Sequence, residues 1–172
     1  AKYIHIHQNY NMNNLVTGGS QRSDFINKNI PTALNALNIK LNVIHQCGLN
    51  KIQNVSNYNH EIDASIFEFI QNLDAYIDWC DFVICRCGAG TLSEISQKKR
   101  GMIMIPLPTS IDNHQYFNAV FYEEKNQGKI FQEKDSLDSL SCLLRKIIHE
   151  KIYQDWKKKE PPIDHSRAAS LM

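Results

Sequence analysis

The chain has 172 residues, which is enough for a single domain with a sizeable core. Its formal net charge of +1 gives no basic field, and no apolar run approaches the roughly 20 residues of a membrane span, so the composition argues against a nucleic-acid partner and a transmembrane protein. The five cysteines lack C-x-x-C spacing and predict reduced, buried thiols in a cytosolic protein, not a disulfide framework or a zinc knuckle.

The two ends of the chain carry little pattern and are predicted to be tails. Residues 1–13 are polar, begin without an initiator Met and are expected to be a linker remnant or a processed end. Residues 161–172 follow the last helical pattern and are expected to be a C-terminal tail. We therefore expect one folded domain over residues 14–160.

Apolar runs of strand length alternate with helical patterns along the chain. The predicted strands are 14–17, 41–45, 65–70, 81–85, 102–105 and 129–132. The predicted helices are 24–37, 73–79, 91–99, 113–125 and 137–158. This alternation predicts an α/β fold, a Rossmann-like parallel sheet flanked by helices and joined by right-handed crossovers. Ligands of such sheets bind outside the carboxyl ends of the strands.

Two residues are expected to interrupt or end these helices. Pro31 lies inside the first helical pattern and should kink that helix or mark its start. Gly128 should close the helix over 113–125 from the C′ position.

The first strand ends in the turn Gly18-Gly19-Ser20-Gln21. The turn matches neither G-x-G-x-x-G nor a Walker A loop. It has two interpretations. It is simple chain geometry, or its backbone N–H groups and the Ser20 hydroxyl hold a phosphate oxygen.

A second turn, Cys87-Gly88-Ala89-Gly90, follows the strand 81–85 and precedes a helix. A strand, a glycine turn and a helix N-terminus leave unpaired N–H groups that suit an anionic phosphate. Thr91 and Glu94 have the spacing of a capping box, which is the structural alternative. In the functional interpretation Glu94 accepts hydrogen bonds from a ribose diol, because a carboxylate is an acceptor facing two donors.

A third junction, Asp112 to Ala119, repeats this arrangement after the strand 102–105. Asp112 is a possible helix N-cap. His114 and Gln115 would lie in the first helical turn, where imidazole and amide groups can meet the hydroxyls of a sugar. The turns after the strands 81–85 and 102–105, each followed by a carboxylate or an amide, together indicate a nucleotide-type ligand.

The remaining histidines show no ligand spacing, so neither a metal nor another cofactor is expected. The sequence also lacks G-x-S-x-G, and chain order alone supports no Ser-His-Asp arrangement.

These motifs together resemble the C-terminal half of the MurG family, bacterial transferases that move N-acetylglucosamine from UDP-N-acetylglucosamine to lipid I and so make lipid II in peptidoglycan synthesis. The similarity runs from about Leu15 to Ile152. Its marks are Gly-Gly-Ser-Gln at 18–21, His-Gln-Cys-Gly at 45–48, Phe-Ile at 69–70, Arg86-x-Gly88-Ala89-x-Thr91-x-x-Glu94 and Asp-Asn-His-Gln-x-x-Asn-Ala at 112–119.

The resemblance implies one half of a GT-B glycosyltransferase fold, in which this domain holds the UDP-sugar donor. The diphosphate would lie at the Gly18-Gly19 turn and Ser20, with Gly90 and Thr91 close to the phosphates. No metal is needed in this arrangement, because helix N-termini can stabilise the leaving diphosphate.

The resemblance also implies contacts to the other parts of the donor. Ile70 would recognise uracil through its main chain, and Glu94 would bind the ribose hydroxyls. His114 and Gln115 would bind the hydroxyls of N-acetylglucosamine.

The acceptor side of the reaction is implied to lie outside this domain. An N-terminal domain would bind lipid I, carry the general base and make the peripheral membrane contact. The catalytic residue is therefore unknown in this chain. The implied location is the cytoplasmic face of the bacterial inner membrane.

The chain also departs from the family pattern. Arg22 stands where the family commonly has Gly, and Gly90 replaces a larger apolar residue. Two alternatives stay open: the catalytic subunit of a split dolichol-diphosphate N-acetylglucosamine transferase, and a non-catalytic UDP-sugar-binding module. A dinucleotide-dependent oxidoreductase would need G-x-G-x-x-G, which is absent.

Overall fold

The computed structural model describes residues 12–19 and 22–162, which build one parallel sheet covered by helices. The strands are β1 Asn13–Thr17, β2 Leu41–Gln46, β3 Ile62–Phe67, β4 Phe82–Cys85, β5 Gly101–Met104 and β6 Gly128–Ile130. Their order across the sheet is β3-β2-β1-β4-β5-β6, and every neighbouring pair is parallel. The predicted Rossmann-like α/β fold is confirmed.

Helices follow the strands and pack on both faces of the sheet. They are α1 Asp24–Asn35, α2 Leu73–Trp79, α3 Ala89–Gln97, α4 His114–Glu124, α5 Leu137–His149 and α6 Ile152–Lys157. Short 3-10 turns lie at Ile52–Asn54 and Ile111–Asn113. Within the described ranges, none of these helices has the length and apolar character needed to cross a bilayer.

Two apolar cores, one on each face of the sheet, hold these helices in place. Helices α1, α5 and α6 cover the first core, in which Leu34 and Trp156 are buried. Helices α2, α3 and α4 cover the second core, in which Leu92 is buried. Because side chains alternate along a strand, Val16 lies in the first core and Leu15 in the second. Burial on both faces explains why the central strands form continuous apolar runs in the sequence.

Helix α1 runs through Pro31, so a helix start at that residue is wrong. Proline has no N–H, and this leaves the carbonyl of Asn27, one turn earlier, without its helical donor. That carbonyl accepts instead from the N–H of Ser56 at 3.0 Å. A contact from the β2–β3 connection therefore offsets the bond that the proline cannot make.

The third strand lies earlier in the chain than predicted. It spans Ile62–Phe67, whereas the predicted range was 65–70. The apolar residues Phe69 and Ile70 extended the prediction, but both lie beyond the sheet. An edge strand also shows a weaker apolar pattern than a central one, and Asp63 in β3 is exposed.

Two helix ends differ from the prediction. Asn126, with φ 55°, follows α4 in the left-handed conformation expected of Gly128, and Gly128 itself begins β6. A Cβ on Gly128 would lie 2.3 Å from the carbonyl oxygen of Met102, so the close approach of β5 and β6 requires a glycine. The predicted helix 137–158 is two helices, because the chain turns at Lys151, where φ is 54°.

The cysteines are free thiols. Cys142 is exposed, which corrects the prediction of uniformly buried thiols, whereas Cys47, Cys80, Cys85 and Cys87 are buried as predicted. Burial raises the pKa of Cys80 and of Cys87 to about 12, so both thiols stay protonated at neutral pH.

Candidate functional site

The carboxyl ends of β1, β4 and β5 bring the predicted motifs to one rim of the sheet. Since β1 and β4 are neighbours whose following connections diverge, a crevice opens between their loops. Gly19 has φ 78°, and a Cβ on Gly18 would lie 2.3 Å from the Cβ of Ser23. The turn therefore needs both glycines for its geometry. Ser20 lies outside the described residues, so its predicted phosphate contact stays a prediction.

Helix α3 begins two residues earlier than predicted, at Ala89 after the N-cap residue Gly88. Its first hydrogen bond runs from Leu92 N–H to the Gly88 carbonyl at 3.1 Å. The N–H groups of the three preceding residues, Ala89, Gly90 and Thr91, donate to none of the described residues. These donors and the positive end of the helix form a local environment that favours an anion.

The early helix start decides between the two interpretations of Thr91 and Glu94. A capping box needs Thr at the N-cap, but Thr91 is the third residue of α3. The capping interpretation is therefore wrong. Glu94 is exposed on the second turn, and a Cβ on Gly90 would meet no described atom within 4 Å. The helix terminus is open to solvent and to a ligand.

Gln115 joins two of the rim loops through its amide oxygen. Its Oε1 accepts from the N–H of Cys87 at 3.2 Å and from the N–H of Leu107 at 2.9 Å. Asn118, one turn later, donates its Nδ2 to the carbonyl of Cys87 at 3.0 Å. Both backbone groups of Cys87 are thus held by α4, immediately before the N-terminus of α3. Only the Nε2 of Gln115 is left to donate to a ligand.

The loop between β5 and α4 carries two consecutive left-handed residues, Asp112 with φ 52° and Asn113 with φ 55°. Asn113, not Asp112, is the N-cap residue of α4, and neither side chain caps the helix, so the predicted capping role of Asp112 is wrong. The Oγ of Ser110 accepts from the N–H of Gln115 at 3.3 Å. This turn places the exposed side chain of His114 at the rim.

Ile70 lies just past β3 with its side chain buried. Its N–H donates to Oε1 of Gln46 at 2.9 Å, and Nε2 of Gln46 donates to Oγ1 of Thr17 at 3.1 Å. The side chain of Gln46 thus connects the ends of β1 and β3. The N–H of Ile70 is engaged within the protein, so a main-chain contact to a base would fall to its carbonyl.

A buried polar network supports the loop after β2. His45 faces Tyr58 Oη at 2.7 Å from Nδ1 and Asn27 Oδ1 at 2.9 Å from Nε2. Asn27 in turn donates to the Oγ of Ser23 and to the carbonyl of Cys47. Burial lowers the pKa of His45 to about 4, so its ring is neutral at physiological pH. This histidine has a structural role behind the β1–α1 turn.

Arg86 holds the loops of the rim together, a role that the sequence did not predict. It is buried and joins three loops through all three nitrogens of its guanidinium group. Nε donates to the carbonyl of Arg22 at 3.1 Å, and Nη1 donates to the carbonyls of Ile105 and Pro106 at 3.3 and 3.4 Å. Nη2 donates to Oε1 of Glu133 at 2.7 Å. The sequence showed only that Arg86 belongs to the motif Arg86-x-Gly88. That motif does not predict hydrogen-bond partners so far away along the chain.

Metal binding depends on how the side chains of the described part of the chain are arranged. There, no group of three or more His, Cys, Asp or Glu residues is arranged to hold a metal ion.

Comparison with known proteins finds a family match over most of the chain. The sequence profile described as "Glycosyltransferase family 28 C-terminal domain" matches residues 14–171. A protein of Campylobacter fetus subsp. fetus, named UDP-N-acetylglucosamine–N-acetylmuramyl-(pentapeptide) pyrophosphoryl-undecaprenol N-acetylglucosamine transferase, is 39% identical over 127 residues, which are 72% of this chain and 38% of the relative. A protein of the same name from Acinetobacter baylyi is 31% identical over 86% of this chain and 42% of its own length.

A solved structure agrees with these sequence matches. The crystal structure of Acinetobacter baumannii MurG superposes with a TM-score of 0.80 at 26% identity, over 88% of this chain and 45% of that chain. The chain therefore spans less than half the length of the relatives and of the solved structure that it matches.

Proposed function

Because the chain belongs to the glycosyltransferase family 28 C-terminal domain family, we propose that it is the donor-binding part of an N-acetylglucosamine transferase. Its substrates would be those for which the relatives are named: UDP-N-acetylglucosamine as donor, and an undecaprenol-linked N-acetylmuramyl-pentapeptide, lipid I, as acceptor. The product would be lipid II. Like those relatives, the complete enzyme would be a hexosyltransferase, and this chain is the part that orients the donor.

The N-terminus of α3 carries this proposal. The three N–H groups at the start of this helix donate to none of the described residues. They lie beside the Gly18-Gly19 turn, at the crevice where the connections after β1 and β4 diverge. In the reaction, the C4 hydroxyl of the muramyl sugar attacks C1 of N-acetylglucosamine, and UDP leaves. Negative charge then develops on the diphosphate, and donors fixed in advance by the helix stabilise it. Gly90, Thr91 and Ser20 complete the proposed diphosphate site.

The other parts of the donor would extend along the rim on both sides of the diphosphate. Glu94, exposed one turn into α3, is proposed to bind the ribose, and Ile70 at the end of β3 is proposed to bind uracil. His114 and the free Nε2 of Gln115 are proposed to bind the sugar hydroxyls on the β5 side. The strand order supports this direction, because β3 and β5 lie on opposite sides of the β1–β4 crevice.

This chain spans only 38% of the length of the Campylobacter fetus relative. We propose that an N-terminal domain binds lipid I, supplies the general base and holds the enzyme peripherally at the cytoplasmic face of the bacterial inner membrane.

Ligand choice tests the proposed function directly. UDP and UDP-N-acetylglucosamine are expected to raise the melting temperature, whereas ADP, GDP and NAD are expected to leave it unchanged. A ligand at 100 times its Kd adds about 2.7 kcal/mol to the free energy of unfolding, which a thermal-shift measurement resolves. Stabilisation by NAD without any effect of UDP would contradict the assignment.

A change of Glu94 to Gln tests the ribose contact. Glu94 is exposed and does not cap α3, so Glu94→Gln should leave the melting temperature unchanged. The free energy of UDP binding, measured by calorimetry, should become less favourable by roughly 1.5–3 kcal/mol, because the hydrogen bonds to a charged acceptor are lost.

The matched control for this change is Glu124→Gln, which removes an exposed carboxylate at the far end of α4. It should alter neither stability nor UDP affinity. If Glu94→Gln behaved like this control, Glu94 would have no part in the donor site.

A further inference from the structure

Besides the β1–β4 crevice, a cavity opens at the same rim, between the loop that follows β1 and the loop that follows β6. Its volume is about 350 Å³. The residues that line it are Arg22, Asp24, Phe25, Arg86, Leu107 and Glu133. Four of these six side chains are charged, two positively and two negatively, so the ligand that the cavity favours depends on which of these charges is already paired.

Most of these charges are paired. Arg86 forms an ion pair with Glu133 at 2.7 Å, and Asp24 forms one with Lys51 at 2.9 Å. Arg22 forms an ion pair with none of the described residues, and its Nη1 donates to the neutral Oγ1 of Thr109 at 2.9 Å. The guanidinium of Arg22 is therefore the cation of this cavity that has no carboxylate partner among the described residues, and it can pair with an anionic ligand.

The position of Arg22 connects this charge to the rim. Arg22 comes three residues after Gly19, and its carbonyl is held by Nε of Arg86 at 3.1 Å. Its side chain reaches Thr109, in the loop that leads to His114. The side chain of Arg22 thus extends from the backbone that follows the glycine turn to the loop that precedes the proposed sugar site. It has five N–H donors, and one of them is used on Thr109.

We propose that Arg22 is a binding residue that supplies the cationic contact to the diphosphate of the UDP-sugar. The inference rests on the proposed function and adds to it a side-chain cation, beside the backbone donors of α3. A planar guanidinium fits phosphate oxygens through two parallel hydrogen bonds, which an ammonium cannot reproduce. The contact would strengthen as the glycosidic bond breaks and charge moves onto the leaving diphosphate.

The test compares two ligands that differ in their phosphates. Calorimetric titrations with UDP and with uridine are made for the unaltered chain, Arg22→Ala, Arg22→Lys and a control, Lys40→Ala. Lys40 is an exposed cation immediately before β2, at the amino ends of the strands and so away from the rim, and its removal changes the net charge by the same amount. Far-UV circular dichroism and the melting temperature establish that each variant is folded.

Arg22→Ala is expected to weaken UDP binding by roughly 10- to 100-fold and to leave uridine binding unchanged. Arg22→Lys should recover part of the loss, and the control should bind UDP like the unaltered chain. The affinity of Arg22→Ala for UDP should also depend less on salt, because one screened charge pair is missing. Equal losses for UDP and uridine, or no loss for UDP, would overturn the role of Arg22. If the unaltered chain bound neither ligand, the proposed function would fail, and this inference with it.

Discussion

Assayed by itself, the 172-residue chain is expected to bind UDP-N-acetylglucosamine and to transfer almost no sugar to lipid I. The described residues form one sheet with the proposed donor site along one rim, and the chain covers only 38–42% of the length of two transferase relatives. Bringing two reactants together in one site contributes effective concentrations of about 10⁵–10⁸ M, and this contribution is absent while the acceptor is free in solution. Radiolabelled sugar transfer measures the effect.

Addition of the part of the relatives that this chain does not span should give sugar transfer in the same assay. The N-terminal part of the Campylobacter fetus relative, supplied as a separate chain or as a fusion, is a suitable complement, and that part without this chain is the control. Efficient transfer by the isolated chain would contradict the donor-half assignment. Donor binding without any restored transfer would favour a non-catalytic UDP-sugar-binding module.

Replacement of Arg86 by Met is expected to have the largest effect on stability. The Arg86 side chain is 9% exposed and holds Glu133 and the carbonyls of three loop residues, Arg22, Ile105 and Pro106. Its loss would leave a largely buried carboxylate and these acceptors without a donor. Removal of one partner of a buried ion pair typically costs about 3–5 kcal/mol, and denaturant unfolding of Arg86→Met measures this loss.

Two further variants separate the buried pair from a general effect of charge. Lys98→Met breaks an exposed pair with Asp78 and should leave the unfolding midpoint nearly unchanged. The double change Arg86→Met with Glu133→Leu removes both charges and should recover part of the stability. If Arg86→Met were no more harmful than Lys98→Met, the three loops would not depend on Arg86.

The fold was largely predictable from the sequence, because buried parallel strands and amphipathic helices leave strong local patterns. Helix α2 has the predicted bounds, and the central strands β1, β4 and β5 agree within one residue. The failures came where the pattern was weak or ambiguous. The edge strand β3 was displaced by the apolar pair Phe69 and Ile70, and the turn at Lys151 has a backbone conformation for which lysine gives no signal.

The site was predictable in its motifs and not in its contacts. Gly18, Gly90 and Gln115 do lie at one rim, as ligand binding at the strand ends of a parallel sheet led us to expect. The hydrogen bonds from Cys87 and Leu107 to Gln115 join residues 28 and 8 positions apart, and Arg86 to Glu133 spans 47. Such contacts depend on the tertiary arrangement, so no local spacing encodes them. The roles of individual residues toward the donor stay predictions.

The strand order has a consequence for the mechanics of the domain. The sheet consists of two blocks of three strands, β3-β2-β1 and β4-β5-β6, and within the sheet only the β1–β4 ladder joins them. The Gly18-Gly19 turn ends one block, and the N-terminus of α3 follows the first strand of the other. A diphosphate bound between them would contact both blocks and link them a second time, beside the β1–β4 ladder. Donor binding would then suppress shearing of the two blocks, so that the domain is stiffest when its substrate is in place.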